Sequence, residues 1–141
     1  MKKFLFLIDA QTTPPVIVEA LDKFFTTGKD AALYRAYDVW SEERLDAWEE
    51  IVERLGIQQV LVSLEKNALD AEFAKEAVEL ADPEIYDKVV LVSGLRELSP
   101  VAVRLKKTGL LVIGCGSLEG PWEFRDACDL FLPFERIVRF A

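Results

Sequence analysis

The chain of 141 residues contains no histidine and only two cysteines, Cys115 and Cys128. Without histidine, the Ser-His and Cys-His catalytic arrangements lose their base, and the usual zinc sites lose a common ligand. The two cysteines have neither the spacing of a metal site nor the number that a disulfide framework needs. A metal ion bound by this chain would therefore be held by oxygen ligands.

Long apolar runs and an excess of positive charge are also missing. The apolar run that starts at Phe4 ends at Asp9, which is too short for a signal peptide. No other run approaches the ~18 apolar residues of a membrane span. The net charge of −8 argues against broad binding of nucleic acid, and of DNA in particular. We therefore expect a soluble, cytoplasmic protein that does not bind membranes.

Apolar residues are plentiful, at 51% of the chain, which is enough for a single domain spanning residues 1–141. Strand-like apolar runs alternate with amphipathic helical stretches, which predicts a doubly wound three-layer α/β/α sandwich with a mainly parallel sheet. Ser41 is expected to cap the second helix and Gly56 to end it. The strands are predicted over 3–8, 31–37, 57–63, 88–93, 110–113 and 130–132. The helices are predicted over 14–28, 41–56, 69–81, 99–108 and 121–128, with 134–141 as a tail that docks elsewhere.

Acidic residues stand where the predicted strands end. In doubly wound sheets, ligands bind beyond the carboxyl ends of the strands, where the strand order reverses. Asp9 follows the first strand, Asp70 lies in the third helix and Glu97 follows the fourth strand, while Glu76 lies six residues beyond Asp70. Such carboxylates can hold Mg²⁺, which can activate water against a phosphodiester. The alternative is that each acid is only a helix N-terminal residue, favoured there by the helix dipole.

Other patterns carry less information. The glycines at 114, 116 and 120 follow the fifth strand, whereas a dinucleotide fingerprint would follow the first. Tyr34, Tyr37 and Trp40 fit a base-stacking platform, although such aromatic residues more often pack in a core or an interface.

Several segments together resemble one known family. The segments are "FLFLIDAQTT", "LYRAYDVW", "EKNALDAEFAKEAVELA", "YDKVVLVSG", "VAVRLKKTGLLVIGCG" and "GPWEFRDACDLFLPFE". Their most specific parts are Lys66-Asn67-Ala68-x-Asp70 and Arg125-x-Ala127-Cys128-Asp129. In this order and spacing they resemble an NYN domain of the LabA-like group, a branch of the PIN-like nuclease superfamily. The resemblance implies an α/β/α sandwich and metal-dependent cleavage of RNA with Mg²⁺ or Mn²⁺. It also implies metal-site roles for Asp9, Asp70 and Glu76, a supporting role for Asp129, and site-facing positions for Lys66 and Asn67.

The departures from the family pattern are concentrated at the same site. The family has asparagine where this chain has Thr12, and its fourth-strand loop reads Ser-Gly-Asp-x-Asp-Phe where this chain reads SGLREL, Ser93 to Leu98. Leu95 therefore removes one carboxylate and Glu97 lengthens another. Arg96 adds a positive charge that competes with a cation electrostatically. Thr12, Ser93 and Arg96 remain as candidate substrate-binding residues.

Two hypotheses of different class follow. The first is a degenerate NYN domain that cuts RNA weakly or not at all and binds RNA, a protein partner or a second copy. The second is an active endoribonuclease with Asp9, Asp70, Glu76 and Glu97 around Mg²⁺, of which Asp9, Asp70 and Glu97 are the metal ligands. A cation between the first and fourth strand ends would favour the enzyme. An arginine or leucine side chain in that space would favour the degenerate domain.

Overall fold

The computed structural model of the protein describes residues 2–141 and contains a six-stranded, all-parallel sheet. The strand order is β3-β2-β1-β4-β5-β6. The order reverses between β1 and β4, as in doubly wound folds. The strands are β1 Lys3–Asp9, β2 Ala31–Asp38, β3 Gln58–Leu61, β4 Lys88–Val92, β5 Leu111–Gly116 and β6 Leu130–Pro133.

Helices cover both faces of the sheet and complete the three predicted layers. Two buried apolar clusters separate the layers, one under α1, α2 and α6 and the other under α3, α4 and α5. None of the helices in the described range is long and apolar enough to cross a membrane. The helices are α1 Pro15–Phe25, α2 Glu42–Leu55, α3 Ala68–Leu80, α4 Ser99–Lys106, α5 Trp122–Ala127 and α6 Phe134–Ile137, followed by a 3-10 turn at Val138–Phe140.

The central strands are buried on both faces because their side chains alternate between the two clusters. In β1, Phe4, Phe6 and Ile8 pack under α1 and α2, while Leu5 and Leu7 pack on the opposite side. A strand that is apolar on both faces reads as a continuous hydrophobic run, which is why the sequence pattern located it.

Local sequence signals located both ends of α2 but not the ends of β3 and β5. Ser41 caps α2, with its Oγ accepting a hydrogen bond from the Arg44 N–H, and Gly56 ends the helix in the left-handed conformation at φ 66°. The strand β3 is shorter than predicted because it pairs with β2 alone, over residues 58–61. The strand β5 is longer because both β4 and β6 pair with its glycine-rich end.

The C-terminal segment does not dock elsewhere, contrary to expectation. It forms α6 and the 3-10 turn, which lie against α1. Ile137 is buried in the same core cluster as α1 and α2, and the Phe140 ring contacts the Phe24 ring edge-on at 5.0 Å between centroids. The segment is therefore part of the domain.

Candidate functional site

The carboxyl ends of β1 and β4 lie side by side at the point where the strand order reverses. Asp9 is the last residue of β1, and Ser93 directly follows β4. Both side chains are buried, with Asp9 at 0% exposure. The parallel pairing of two neighbouring strands thus places a carboxylate and a hydroxyl in one crevice.

The Asp9 carboxylate accepts four hydrogen bonds. Its Oδ1 accepts one from the Gln11 N–H at 3.0 Å. Its Oδ2 accepts from Thr12 Oγ1 at 2.6 Å, from Ser93 Oγ at 2.9 Å and from Arg96 Nε at 2.9 Å. Three of the four donors converge on Oδ2, so this oxygen is fully used, whereas Oδ1 accepts a single bond.

Thr12 and Ser93 join the two strand ends. Both hydroxyl protons point to Asp9, and each hydroxyl oxygen accepts a backbone N–H in return. Thr12 Oγ1 accepts from Gly94 and Ser93 Oγ accepts from Arg96, at 2.9 and 3.0 Å. A side chain at Gly94 would place a Cβ 2.3 Å from the Thr12 carbonyl oxygen, so the loops meet too closely for any other residue.

Arg96 occupies the space between the two aspartates. Its Nε lies 2.9 Å from Asp9 Oδ2, and its Nη1 lies 2.8 Å from Asp70 Oδ1. Its Nη2 donates to the Gln11 side-chain oxygen. One guanidinium group therefore compensates the buried charge of Asp9 and ties the first turn of α3 to the end of β1.

Glu76 lies in a different cluster. Its Oε1 accepts hydrogen bonds from Tyr37 Oη at 2.6 Å and from Nε and Nη2 of Arg35 at 2.9 and 2.6 Å. Burial by itself raises the pKa of Glu76, but the hydrogen bonds from Tyr37 and Arg35 outweigh it, so the pKa is lowered. In this arrangement Glu76 joins α3 to β2 and does not face Asp9 or Asp70, contrary to the position expected for it. Residues six apart do not share a helix face, which is the signal that separates Glu76 from Asp70.

Glu97 and Asp129 also lie away from the two aspartates. The Glu97 carboxylate is exposed and accepts from the N–H and the hydroxyl of Ser99, at 2.9 and 2.6 Å, where α4 begins. Asp129 Oδ2 accepts from the Val112 N–H at 2.8 Å. Val112 lies near the amino end of β5, so Asp129 lies at the opposite end of the strands from Asp9. In this arrangement Glu97, expected as a metal ligand, and Asp129, expected in a supporting role, do not face Asp9 or Asp70.

The loop before α3 supplies the remaining predicted residues. Lys66 and Asn67 are exposed, and Asn67 adopts the left-handed conformation at φ 64°. A cavity of about 160 Å³ is bounded by Asn67, Gln11 and Arg96, together with the loop from Ser63. Leu95 points to solvent, with 61% exposure. Asn67 and Arg96 thus line the same small cavity.

Sequence reasoning missed a second buried pair at the same edge. Asp38 ends β2 at 0% exposure, and Arg44 Nε lies 3.0 Å from its Oδ2 as an ion pair without hydrogen-bond alignment. The Arg44 Nη1 also donates to the carbonyl oxygens of Ala10 and Gln11, at 2.9 and 3.0 Å. The signal was present, because Asp38 stands at a strand end as Asp9 does.

The aromatic residues do not form a stacking platform. Tyr34 and Tyr37 are buried, at 3% and 0% exposure, and burial raises the pKa of both phenols. Trp40 packs edge-on against Trp48 and donates its Nε1–H to the Val60 carbonyl oxygen. These side chains pack in and around the core, which was the more frequent alternative.

The chain belongs to the NYN domain family, whose model matches residues 3–135. This match covers the whole sheet and confirms a nuclease-type domain. A comparison with curated proteins gave no significant match.

Solved structures resemble this chain at low sequence identity. MurG of Acinetobacter baumannii superposes with a TM-score of 0.61 at 12% identity, over 93% of this chain and 40% of MurG. Levoglucosan dehydrogenase in complex with NADH gives 0.46 at 12% identity, over 93% of this chain and 34% of that protein. A short-chain dehydrogenase/reductase from Serratia marcescens gives 0.41 at 15%, over 89% of this chain and 62% of the enzyme. The MurG likeness shows a Rossmann-like fold and nothing about activity.

NYN domains generally use divalent metals, so the donor set at the strand ends has to be tested against such an ion. Asp9 Oδ2 already accepts from three donors, one of them the cationic Arg96, and Asp70 Oδ1 faces the same cation. Across residues 2–141, no group of three or more histidine, cysteine, aspartate or glutamate side chains could hold a metal ion. As arranged here, the residues do not fit Mg²⁺ or Mn²⁺.

Proposed function

We propose that this chain is a non-cleaving NYN domain of the LabA-like group, in which the Arg96 guanidinium stands where the family holds its metal ion. The observation that supports the proposal is the placement of Arg96, with Asp9 Oδ2 at 2.9 Å and Asp70 Oδ1 at 2.8 Å. Arginine supplies the positive charge that two neighbouring aspartates require, and it stays protonated at any ordinary pH.

A guanidinium group cannot supply the chemistry of a divalent metal ion. A metal ion binds water directly and lowers the pKa of that water, whereas arginine only donates hydrogen bonds. A divalent ion would also have to displace a tethered cation whose hydrogen bonds are satisfied. Arg96 therefore stabilises the domain and leaves no position for an activated water.

The charge of the carboxyl edge favours a protein partner over RNA. Exposed acids follow four of the parallel strands at this edge: Glu42 and Glu43 after β2, Glu65 after β3, Glu97 after β4 and Glu119 after β5. Like charges repel a phosphate backbone, and few cations offset them here. We expect this edge to bind a protein with a basic surface.

Binding of Mn²⁺ tests the proposal directly. In Mn²⁺ titrations followed by electron paramagnetic resonance, the wild type is expected to show only weak binding that does not saturate. In a separate cleavage assay, it is expected to leave RNA intact with Mg²⁺ or Mn²⁺. The variant L95D/R96S/E97D removes the Arg96 cation, adds one carboxylate at position 95 and shortens the carboxylate side chain at position 97. It is expected to bind Mn²⁺ at least about tenfold more tightly.

Two controls separate this result from general electrostatics. K66Q removes an exposed positive charge from the same edge and is expected to leave Mn²⁺ binding unchanged. Cleavage of RNA by the wild type that is lost in D9N would overturn the proposal and establish a metal-dependent ribonuclease. Tight binding of Mn²⁺ by the wild type that D9N abolishes would also overturn it.

A further inference from the structure

Basic residues gather on one face of this acidic chain. Residues 98–118 contain three basic residues and no aspartate or glutamate, although the whole chain carries 25 acidic and 17 basic residues. Arg104 and Lys107 of this stretch are exposed, as is Lys75 of α3. Among residues 2–141, no salt bridge involves any of these three side chains. The dipole of α4 favours cations at its end, but Lys75 lies in the middle of α3, so the dipole does not account for the whole basic surface.

An open groove of about 500 Å³ lies between α3 and α4 beside these cations. We name it the α3–α4 groove: its apolar lining includes Val78, Pro100 and Val101, and its charged lining is Lys75, Glu79 and Arg104. An adjoining cleft of about 480 Å³ shares Pro100 and Arg104 with it and adds Val103 and Lys107. Val78 and Val103 are 40% and 44% exposed. Exposed aliphatic side chains thus lie beside exposed cations.

The aliphatic lining favours a protein segment over RNA. Single-stranded RNA is held by basic grooves together with aromatic side chains that stack on its bases. The described residues that line the α3–α4 groove and the adjoining cleft include no aromatic residue. Phosphate contacts would use the cations but leave Val78 and Val103 in water. An apolar surface bordered by cations is complementary to a segment that carries both apolar and acidic side chains.

The dimensions of the groove suit a short helix. The eight residues of α4 span about 12 Å, which is roughly two turns of a helix laid beside it. Exposed ion pairs contribute little to affinity, so the apolar contacts supply most of the binding while the cations select an acidic partner. Charges farther away than about 8 Å are largely screened at physiological ionic strength, so the net charge of −8 acts less on a bound segment than the cations of the groove do.

We propose that the α3–α4 groove binds an acidic amphipathic helix of a partner protein. The acidic side chains of this helix pair with Lys75 and Arg104, and its apolar side chains cover Val78. Neither Asp9 nor Arg96 lines the groove, so this binding is separate from the site at the strand ends.

Fluorescence anisotropy with synthetic peptides tests the binding to the full chain. The probe is a labelled peptide of about 14 residues with leucine on one helical face and glutamate on the other. The wild type is expected to bind this peptide with saturation. It should bind at least about tenfold more weakly to the same peptide with lysine in place of glutamate, and to one with serine in place of leucine. A single-stranded RNA of similar length should also bind at least about tenfold more weakly.

Charge variants locate the binding site. K75Q/R104Q removes two cations of the groove and is expected to weaken binding of the glutamate peptide at least about tenfold. K29Q/R139Q is the matched control, because it removes two exposed cations from another part of the surface. This control should change the affinity by less than about twofold.

A pair of valine variants tests the apolar contact. V78Q is expected to weaken binding of the glutamate peptide about fivefold, because the apolar side chain that the peptide covers is lost. V138Q is the matched control, since Val138 is 39% exposed and Val78 is 40% exposed. An affinity that V78Q or K75Q/R104Q leaves unchanged would overturn the proposal.

The other results that contradict the proposal each point to a different occupant. A wild type that binds the glutamate peptide no better than the lysine peptide, or not at all, has no site for an acidic helix. Tighter binding of RNA than of the peptide would assign the surface to nucleic acid. Self-association of the wild type in sedimentation equilibrium that K75Q/R104Q removes would assign the groove to a second copy of the chain.

Discussion

Arg96 determines what the strand-end acids do. It follows a loop in which leucine stands where the family has aspartate, and its side chain reaches back to the buried Asp9. Removing one partner of a buried ion pair leaves a charge without compensation, and this costs about 3–5 kcal/mol in proteins. The exposed Asp70 gains less from the same guanidinium, because water screens it.

Replacement of Arg96 is expected to destabilise the fold through Asp9. R96L should lower the free energy of unfolding by about 3 kcal/mol in urea denaturation, because the Asp9 charge then stays buried and unpaired. In the D9N background the same change should cost much less, since no charge remains there to compensate. R104L, which removes an exposed arginine of α4, is the control with little expected effect. Additive effects of D9N and R96L would contradict this account.

The helix α3 is fastened to the sheet at two points on different faces. Asp70 in its first turn meets Arg96, and Glu76 two turns later meets Arg35 and Tyr37 of β2. The second fastening depends on an ionised Glu76, since both partners donate hydrogen bonds to it. The lowered pKa of Glu76 therefore makes the position of α3 sensitive to acid.

The stability contributed by Glu76 should depend on pH. Because its pKa is lower in the folded chain than the unfolded value of about 4.3, the contribution is complete above that value and is lost as the pH falls through the folded pKa. The difference in unfolding free energy between wild type and E76Q should be about 2 kcal/mol at pH 7 and should shrink below about pH 4. Urea denaturation at a series of pH values measures it. E79Q, an exposed acid of the same helix, should show no such dependence.

The C-terminal segment packs against α1 and completes the core on that side of the sheet. The helix α6 and the 3-10 turn cover α1 and bury Ile137, at 2% exposure, in the cluster that also holds Trp48. The family match reaches residue 135, and the packing extends the cooperative unit beyond it. Unfolding of this segment should thus accompany unfolding of the sheet.

A substitution at Ile137 tests whether the C-terminal segment is part of the core. I137A should lower the free energy of unfolding by about 2–4 kcal/mol, because it leaves a cavity in the core. V138A, the neighbouring residue at 39% exposure, should change it by about 0.5 kcal/mol or less. Equal effects of the two variants in urea denaturation would show that the segment is only loosely attached.

The architecture follows from patterns that can be read locally along the chain. Apolar runs and helical stripes are local patterns, so β1, the capped helix α2 and the alternation of strands with helices could be predicted from neighbouring residues alone. The positions of Asp9 at a strand end and of Asp70 in the first turn of a helix followed from the same boundaries. The departure of the loop around Leu95 from the family pattern was also visible in the sequence.

The contacts between side chains, in contrast, depend on how the strands and helices pack in three dimensions. Arg96 reaches Asp9 and Asp70 because β1 and β4 are neighbours, and that order comes from contacts between residues far apart in the chain. Glu76, Glu97 and Asp129 carry the same charge as the two aspartates, yet each points to a nearer donor. The sequence shows that a residue is acidic, whereas packing decides which group its carboxylate faces. For this reason Asp9 and Asp70 bind the guanidinium group of Arg96.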